Sequence, residues 1–226
     1  MKVLNLYAGI GGNRKLWTDV EVTAVELNPE IAKIYSDFFP NDKMIIADAH
    51  EYLLKHYKEY DFIWSSPPCP THSRINYSNG GRWAEKYPDM KLYQEIILLQ
   101  NFFNGLYCVE NVIGYYEPLI QPKEVGRHYF WANFSISNIE YEDQIGRLCG
   151  KRQTENRDKL LRKMIIREAQ IPELENLHGF DLGGLKLTNK RQVLRNCVIP
   201  ELGLHILNCA RGIYQHTKDV NQLSLL

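Results

Sequence analysis

The sequence has few cysteines, no long apolar run and no net charge, and each shortage excludes a class of protein. Its five cysteines are widely spaced and include no Cys-x-x-Cys pair, so we expect reduced thiols, no disulfide framework and no metal site. No apolar stretch approaches the ~20 residues of a membrane-spanning helix. With 226 residues, 44% of them apolar, and a mean hydropathy of −0.38, the chain is typical of a cytoplasmic globular protein without a membrane partner.

The zero net charge conceals an acidic front and a basic back. Residues 1–146 carry 13 Lys and Arg against 19 Asp and Glu, whereas residues 147–226 carry 14 against 8. Eight of the basic residues fall within residues 147–167. Such a cluster is either the electrostatic footprint of a polyanion or the solvated face of a helix, and the charge count leaves both open.

A glycine turn follows the first predicted strand. Lys2–Leu6 has a strand pattern and leads directly into Tyr7-Ala8-Gly9-Ile10-Gly11, after which Asn13–Trp17 has helical potential. Glycine permits positive φ and a close approach of the backbone to a ligand, although a tight strand-to-helix connection needs the same turn.

An acidic residue ends each of the next two predicted strands. Glu21–Val25 ends in Glu26, and Met44–Ile46 leads to Asp48. An acid about twenty residues after a glycine turn can accept hydrogen bonds from both hydroxyls of a ribose. Asp48 can bind an adenine amino group or cap the helix predicted from Ala49. The pattern favours a nucleoside ligand.

The segment around Cys69 places a thiol just beyond a strand. Asp61–Trp64 suits a buried strand, and Pro67 and Pro68 then stop the sheet ladder. Ligands of open α/β sheets bind outside the carboxyl ends of the strands, so Cys69 is a candidate nucleophile. The alternative is a small buried side chain that packs under a loop.

A carboxylate is expected close to this thiol. The predicted strand Leu106–Val109 ends in Glu110, at the same edge of the sheet as Cys69. Two more strands are predicted over Arg127–Trp131 and Phe134–Ile139. The pattern predicts an α/β fold with a Rossmann-like, doubly wound sheet built from residues 1–139 and 186–226, and a small basic lobe over residues 140–185.

The order of these motifs resembles that of the cytosine-5 DNA methyltransferases, which transfer a methyl group from S-adenosylmethionine to carbon 5 of cytosine. The resemblance extends from Leu4 to about Leu207, apart from residues 140–170. Its most specific part is Pro67-Pro68-Cys69 together with Glu110-Asn111-Val112. It implies the sheet of S-adenosylmethionine-dependent methyltransferases, a double-stranded DNA substrate and a shortened recognition region that a separate specificity partner could complete.

The resemblance also assigns roles to single residues. The cofactor-binding residues that it implies are Tyr7, Ala8, Gly9, Ile10, Gly11, Glu26, Leu27, Asp48, Ala49, Pro68, Asn196 and Val198. The implied catalytic residues are Cys69, Glu110 and Arg127. If a nucleic acid is the polyanion, the expected contacts are Ser73, Arg74, Arg147, Lys151, Arg152, Arg162 and Lys163.

In the implied reaction, the Cys69 thiolate attacks carbon 6 of cytosine while Glu110 shares a proton with ring nitrogen 3. We expect the positive charge of Arg127 to lower the pKa of the Cys69 thiol. A cytosine within a duplex must first be flipped out to reach this thiol.

Several positions depart from the family pattern and leave other functions open. Pro70 and His72 stand where the family usually has glutamine and phenylalanine, and Tyr129 replaces an arginine. One alternative is an RNA cytosine-5 methyltransferase, because Ser73-Arg74-Ile75 resembles the tRNA-directed branch, although its Cys-Phe-Thr tripeptide is absent. Another is a catalytically inactive module that binds cofactor or DNA.

Overall fold

The computed structural model describes residues 1–74, 84, 86–139 and 170–213, and a seven-stranded sheet forms its centre. The strands are β1 (Lys2–Leu6), β2 (Glu21–Glu26), β3 (Lys43–Ile46), β4 (Phe62–Ser65), β5 (Leu106–Val112), β6 (Lys123–Val125) and β7 (His128–Ala132). Their spatial order is β3-β2-β1-β4-β5-β7-β6. Strands β1 to β5 run parallel, whereas β7 is antiparallel to both of its neighbours.

Helices cover both faces of the sheet. They are α1 (Pro29–Phe38), α2 (Ala49–His56), α3 (Lys91–Phe102), α4 (residues 170–178), α5 (Lys190–Asn196) and α6 (Pro200–Ala210), and a short 3₁₀ turn (Tyr57–Glu59) follows α2. Successive side chains of a strand point to opposite faces. Trp64 accordingly joins a buried cluster with α6, and Ile63 joins a second cluster with α3. This arrangement confirms the predicted doubly wound α/β sheet.

The carboxyl ends of β1 and β4 lie side by side where the strand order reverses. Leu6 at the end of β1 is in register with Ser65 at the end of β4. The chain builds β2 and β3 on one side of this pair and β5 on the other. Ligands of doubly wound sheets bind at such a point. The glycine turn after β1 and the prolyl segment after β4 therefore flank one crevice, which we call the switch-point crevice.

The helix predicted over Asn13–Trp17 is wrong, because these residues form successive turns instead. The backbone N–H of Arg14 donates to Gly11 O at 3.1 Å and that of Trp17 to Arg14 O at 3.0 Å, a spacing of three residues. Asn13 is buried and exchanges side-chain hydrogen bonds with Asn5. Packing against the sheet therefore replaces helix formation here.

The strand predicted over Phe134–Ile139 is also wrong. The edge of the sheet is instead Lys123–Val125, which pairs with β7 through a hairpin whose turn contains Gly126 at φ 60°. Phe134 and Ile136 pack against the apolar core without joining a ladder. Strand β5 continues to Val112, so Glu110 lies inside the strand and not after it.

The described part of the proposed basic lobe packs into the main core. Leu174 of α4 and the following Phe180 and Leu182 belong to the same buried cluster as Trp64. The helix predicted over Glu155–Ala169 and the basic residues of the cluster lie outside the described residues, so the separate lobe stays a prediction. Within the described ranges, no helix combines the length and the apolar character needed to cross a membrane.

Candidate active site

The loop that carries Cys69 is anchored on both sides. Before it, the side-chain amide of Asn111 donates to the carbonyl of Pro67 at 3.0 Å. After it, the Cys69 carbonyl accepts hydrogen bonds from the backbone N–H groups of His72 (3.0 Å) and Ser73 (3.1 Å). Pro67 and Pro68 have no backbone N–H to donate to a sheet ladder. The loop is therefore held by these hydrogen bonds and not by strand pairing. The Cys69 side chain is half-buried at the carboxyl end of β4.

The pKa of the Cys69 thiol is raised above its ordinary value. Burial is the main cause, and the negative charge of Glu110 adds to it. The loop backbone and the charge of Arg127 act in the opposite direction. Arg127 therefore acts in the direction that the sequence predicts, but desolvation of the thiolate outweighs its charge, so the pKa of the Cys69 thiol is raised overall.

Glu110 is buried and paired with a histidine. Its Oε1 lies 2.6 Å from Nδ1 of His128, which projects from the neighbouring strand β7. Both residues are almost fully buried, so the pair has little access to water. A proton held between a carboxylate and an imidazole in such a site can be delivered to a third group that enters it.

The glycine turn and Glu26 hold each other in place. The backbone N–H of Gly9 donates to Glu26 Oε2 at 3.0 Å, and that of Asn28 donates to Oε1 at 2.9 Å. Gly9 has φ 56°, and a Cβ built on it meets nothing within 4 Å, so open space adjoins the turn. Each Glu26 oxygen keeps a second acceptor site. These features fit the ribose and methionine parts of S-adenosylmethionine, next to Leu27, which is 66% exposed.

Asp48 caps the amino end of α2, which is one of the two roles that the sequence allows for it. Its Oδ1 accepts the backbone N–H of Glu51 at 3.1 Å, and this bond lowers the pKa of the Asp48 carboxyl. Ala49 follows as the first, buried residue of α2. The other carboxylate oxygen, Oδ2, lies 3.8 Å from Nζ of Lys91. One oxygen is thus suited to an adenine amino group, and this role stays a prediction.

The segment with Asn196 and Val198 lies against the glycine turn. A Cβ on Gly12 would lie 2.6 Å from the Val198 carbonyl and 2.7 Å from Cys197 Cβ, so only glycine fits between the two segments. Asn196 is exposed, and its Oδ1 accepts a hydrogen bond from Gln192 at 2.6 Å. The structure therefore brings the segment with Asn196 and Val198 next to the predicted cofactor loop.

The predicted nucleic-acid contacts divide into two groups. Ser73 forms an isolated bridge with Gly114, and Nε of the exposed Arg74 donates to the Gly114 carbonyl at 3.2 Å. Both therefore lie on the rim next to Cys69. The other five, which lie outside the described residues, are Arg147, Lys151, Arg152, Arg162 and Lys163.

Sequence reasoning missed three side chains that support the site. The sequence predicts Asn111 only as part of Glu110-Asn111-Val112 and His128 only as part of the strand Arg127–Trp131, and it gives no sign of the partner of His72. His72 is buried, and its Nδ1 lies 2.7 Å from the hydroxyl of Tyr116. Burial lowers the pKa of His72, which keeps it neutral under the Cys69 loop. A polar residue at a buried position of the Arg127–Trp131 pattern was the available signal for His128.

Comparisons with known proteins agree with this geometry. A family model for C-5 cytosine-specific DNA methylases matches residues 1–118, whereas curated proteins gave no significant match. The fold is similar to the Entamoeba histolytica methyltransferase EhMeth, with a TM-score of 0.54 and 13% identity over 95% of this chain and 99% of that one. It is similar to a mutant of Spodoptera frugiperda DNMT2, with a TM-score of 0.54 and 14% identity over 93% and 99%.

The matched region contains the glycine turn, both acidic strand ends, Cys69 and Glu110. It also spans more than half of the 226 residues. The two solved structures extend the agreement in fold to nearly the whole chain. The chain therefore belongs to the C-5 cytosine-specific DNA methylase family, whose methyl donor is S-adenosylmethionine.

Proposed function

We propose that this protein methylates carbon 5 of a cytosine in DNA through a covalent adduct with Cys69. The observation that carries the proposal is that Cys69 follows the end of β4 while Glu110 lies in the adjacent strand β5, one residue after Val109, the partner of Ser65 at the end of β4. A nucleophile and an acid at the point where a doubly wound sheet binds ligands are the two groups that this chemistry needs.

The cofactor would be held by residues of β1, β2 and α2. Gly9 leaves room for the methionine part, Glu26 has free acceptor sites for ribose hydroxyls, and Asp48 Oδ2 for the adenine amino group. The remaining contacts are those that the resemblance implies, namely Tyr7, Ala8, Ile10, Gly11, Leu27, Ala49, Pro68, Asn196 and Val198. S-adenosylmethionine, when bound, supplies an electrophilic methyl group.

Cys69 would act as its thiolate, whose sulfur forms a bond to carbon 6 of the cytosine. Negative charge moves into the ring, and the proton held between Glu110 and His128 neutralises it at nitrogen 3. Carbon 5 is thereby made nucleophilic. After it is methylated, loss of the carbon 5 proton to a base and cleavage of the carbon–sulfur bond restore the thiolate, and the proton on nitrogen 3 returns to the Glu110–His128 pair.

Two charges near Cys69 act on its thiol in opposite directions. The negative charge of Glu110 raises the pKa of Cys69, whereas the positive charge of Arg127 lowers it. Arg127 would therefore stabilise the thiolate that attacks carbon 6.

The substrate would be a cytosine that has left its base-paired stack. Cys69 lies in a loop at the edge of the sheet, and a stacked base cannot reach it, so the base must be flipped at a cost of a few kcal/mol. Ser73 and Arg74 lie on the rim of this loop. They and the basic residues of the 147–167 cluster would hold the phosphates.

Transfer of a labelled methyl group tests this proposal. Wild type and Cys69→Ala are each incubated with labelled S-adenosylmethionine and either mixed-sequence DNA or a tRNA pool. The proposal expects label in DNA with wild type and none with Cys69→Ala. Label in tRNA alone would establish the RNA alternative that Ser73-Arg74-Ile75 favours. Cofactor binding without any transfer would establish an inactive module.

A further inference from the structure

Glu95 is a fully buried acid on α3 whose carboxylate is surrounded by donors. Its Oε1 accepts a hydrogen bond from the Tyr7 hydroxyl at 2.6 Å and lies 3.0 Å from Nδ1 of His50. Its Oε2 accepts a hydrogen bond from the Ser65 hydroxyl at 2.6 Å. A buried carboxylate needs such partners, and bonds to a charged acceptor are among the strongest in proteins.

Each donor lies where a segment of the candidate site begins. Tyr7 opens the glycine turn, Ser65 is the last residue of β4 before the loop to Cys69, and His50 lies in the first turn of α2, two residues after Asp48. Tyr7 and Ser65 belong to neighbouring strand ends, since Leu6 is in register with Ser65. One side chain thus contacts all three segments.

Tyr7 needs such an anchor more than most residues do. Its φ is 55°, a left-handed conformation that costs free energy for a residue with a Cβ and persists only where the surroundings enforce it. The hydrogen bond to Glu95 holds the Tyr7 phenol in place. Burial, together with the charge of Glu95, raises the pKa of Tyr7, so the hydroxyl stays protonated and keeps donating.

We propose that Glu95 is a positioning residue that couples the binding of S-adenosylmethionine to the placement of Cys69. The inference rests on the proposed function, because it assigns the coupling to that site. The carboxylate fixes the cofactor loop through Tyr7 and the nucleophile loop through Ser65, one with each oxygen. Loss of its charge loosens both loops together, although Glu95 itself touches neither the cofactor nor the base.

Glu95→Gln tests the coupling with nearly unchanged shape. The dissociation constant for S-adenosylmethionine is measured by calorimetry, and kcat by methyl transfer at saturating cofactor. Because charged hydrogen bonds are lost at both loops, we expect the dissociation constant to rise and kcat to fall by about tenfold each. Tyr7→Phe should mainly weaken binding, and Ser65→Ala should mainly lower kcat. If Glu95→Gln does not fold, Tyr7→Phe and Ser65→Ala test the coupling in its place.

Tyr52→Phe is the matched control for Tyr7→Phe. The Tyr52 hydroxyl also contacts a side-chain oxygen, that of Tyr60 at 3.2 Å, but this contact joins α2 to the residue after the 3₁₀ turn. Tyr52→Phe should leave the dissociation constant and kcat unchanged.

Two results separate this inference from the proposed function. Wild-type values of both constants in Glu95→Gln, or in both Tyr7→Phe and Ser65→Ala, would overturn the inference alone. If wild type binds the cofactor but transfers no methyl group to nucleic acid, the proposed function fails. In that case unchanged cofactor binding in Glu95→Gln and Tyr7→Phe would still overturn the role of Glu95, and weakened binding would support it.

Discussion

Glu110 and His128 form a buried contact of 2.6 Å beside the Cys69 loop. His128→Phe leaves a buried carboxylate without its donor, and the loss of such a bond costs about 1–3 kcal/mol. We therefore expect kcat for methyl transfer to fall roughly tenfold to a hundredfold, with unchanged affinity for S-adenosylmethionine. The side chain of His128→Asn keeps an N–H donor but cannot take up a proton. Its kcat should therefore lie between those of wild type and His128→Phe. Wild-type turnover in His128→Phe would show that the pair has no part in the chemistry.

His178 makes the stability of the protein depend on pH. Burial, reinforced by the nearby charge of Arg127 and opposed by the Leu194 backbone, lowers the pKa of His178 to about 4. An unfolded histidine titrates near ~6.5, so the unfolded state binds a proton that the folded state excludes between these two values. The stability that neutral His178 contributes is present above pH ~6.5 and is lost as the pH falls towards 4, by roughly 3 kcal/mol in total.

Urea unfolding of wild type and His178→Gln measures this contribution. Glutamine does not titrate, so the variant should lose about 2 kcal/mol less than wild type between neutral pH and about pH 5. Parallel stability curves over that range would contradict the assigned pKa of His178.

Single residues could be predicted where a motif carried them, and not where only the fold brings them together. Cys69, Glu26 and Asp48 each end a strand pattern that is visible in the sequence. Glu95 looks like one polar position in an amphipathic helix, and its three partners come from segments 30 to 88 residues away. No local pattern records such contacts.

Helix α6 is fixed to the turns after β1 by a residue that has no side chain. A Cβ on Gly203 would overlap the backbone of Asn13, and the Trp17 indole donates to the Gly203 carbonyl at 3.0 Å. Gly203→Ala should therefore destabilise the protein by about 1–3 kcal/mol, although alanine favours an isolated helix. Thermal unfolding measures the effect.

Gly114→Ala is the control for this substitution. The nearest atoms to a Cβ at Gly114 are 3.5 Å away, an ordinary contact distance, so its unfolding temperature should stay close to that of wild type. If Gly203→Ala were as stable as Gly114→Ala, the close packing of α6 on Asn13 would be wrong.

Elements with a strong apolar pattern were predicted, and elements that depend on long-range packing were not. Strands β1, β2 and β4 are largely buried, and the apolar residues in their sequences predict this burial. β6 is only Lys123–Val125, too short for a pattern, and its place at the sheet edge is set by the hairpin to β7. The Asn13–Trp17 segment has helical residues, but the burial of Asn13 against Asn5 prevents the helix.

At the scale of the whole molecule, the basic region of residues 147–226 predicts salt-sensitive binding of nucleic acid. Neutralised phosphates release counterions, so affinity for DNA should fall steadily as salt is raised. Removal of two proposed contacts in Lys151→Gln/Arg152→Gln should reduce the slope of log affinity against log salt by about 2. Lys33→Gln on α1 is the control, because Lys33 is exposed and pairs with Asp37. The slope for Lys33→Gln should equal that of wild type. If the affinity of wild type for DNA did not change with salt, the proposed interface would be contradicted.

The most direct test of the central claim is to trap the Cys69 adduct. Fluorine at carbon 5 replaces the proton that must leave, so mixed-sequence DNA in which 5-fluorocytosine replaces cytosine should hold the enzyme after methylation. With S-adenosylmethionine present, mass spectrometry should find the methylated base bonded to the peptide that contains Cys69, and no adduct with Cys69→Ser. Wild type that methylates cytosine in DNA but forms no adduct, or an adduct at another cysteine, would contradict the account.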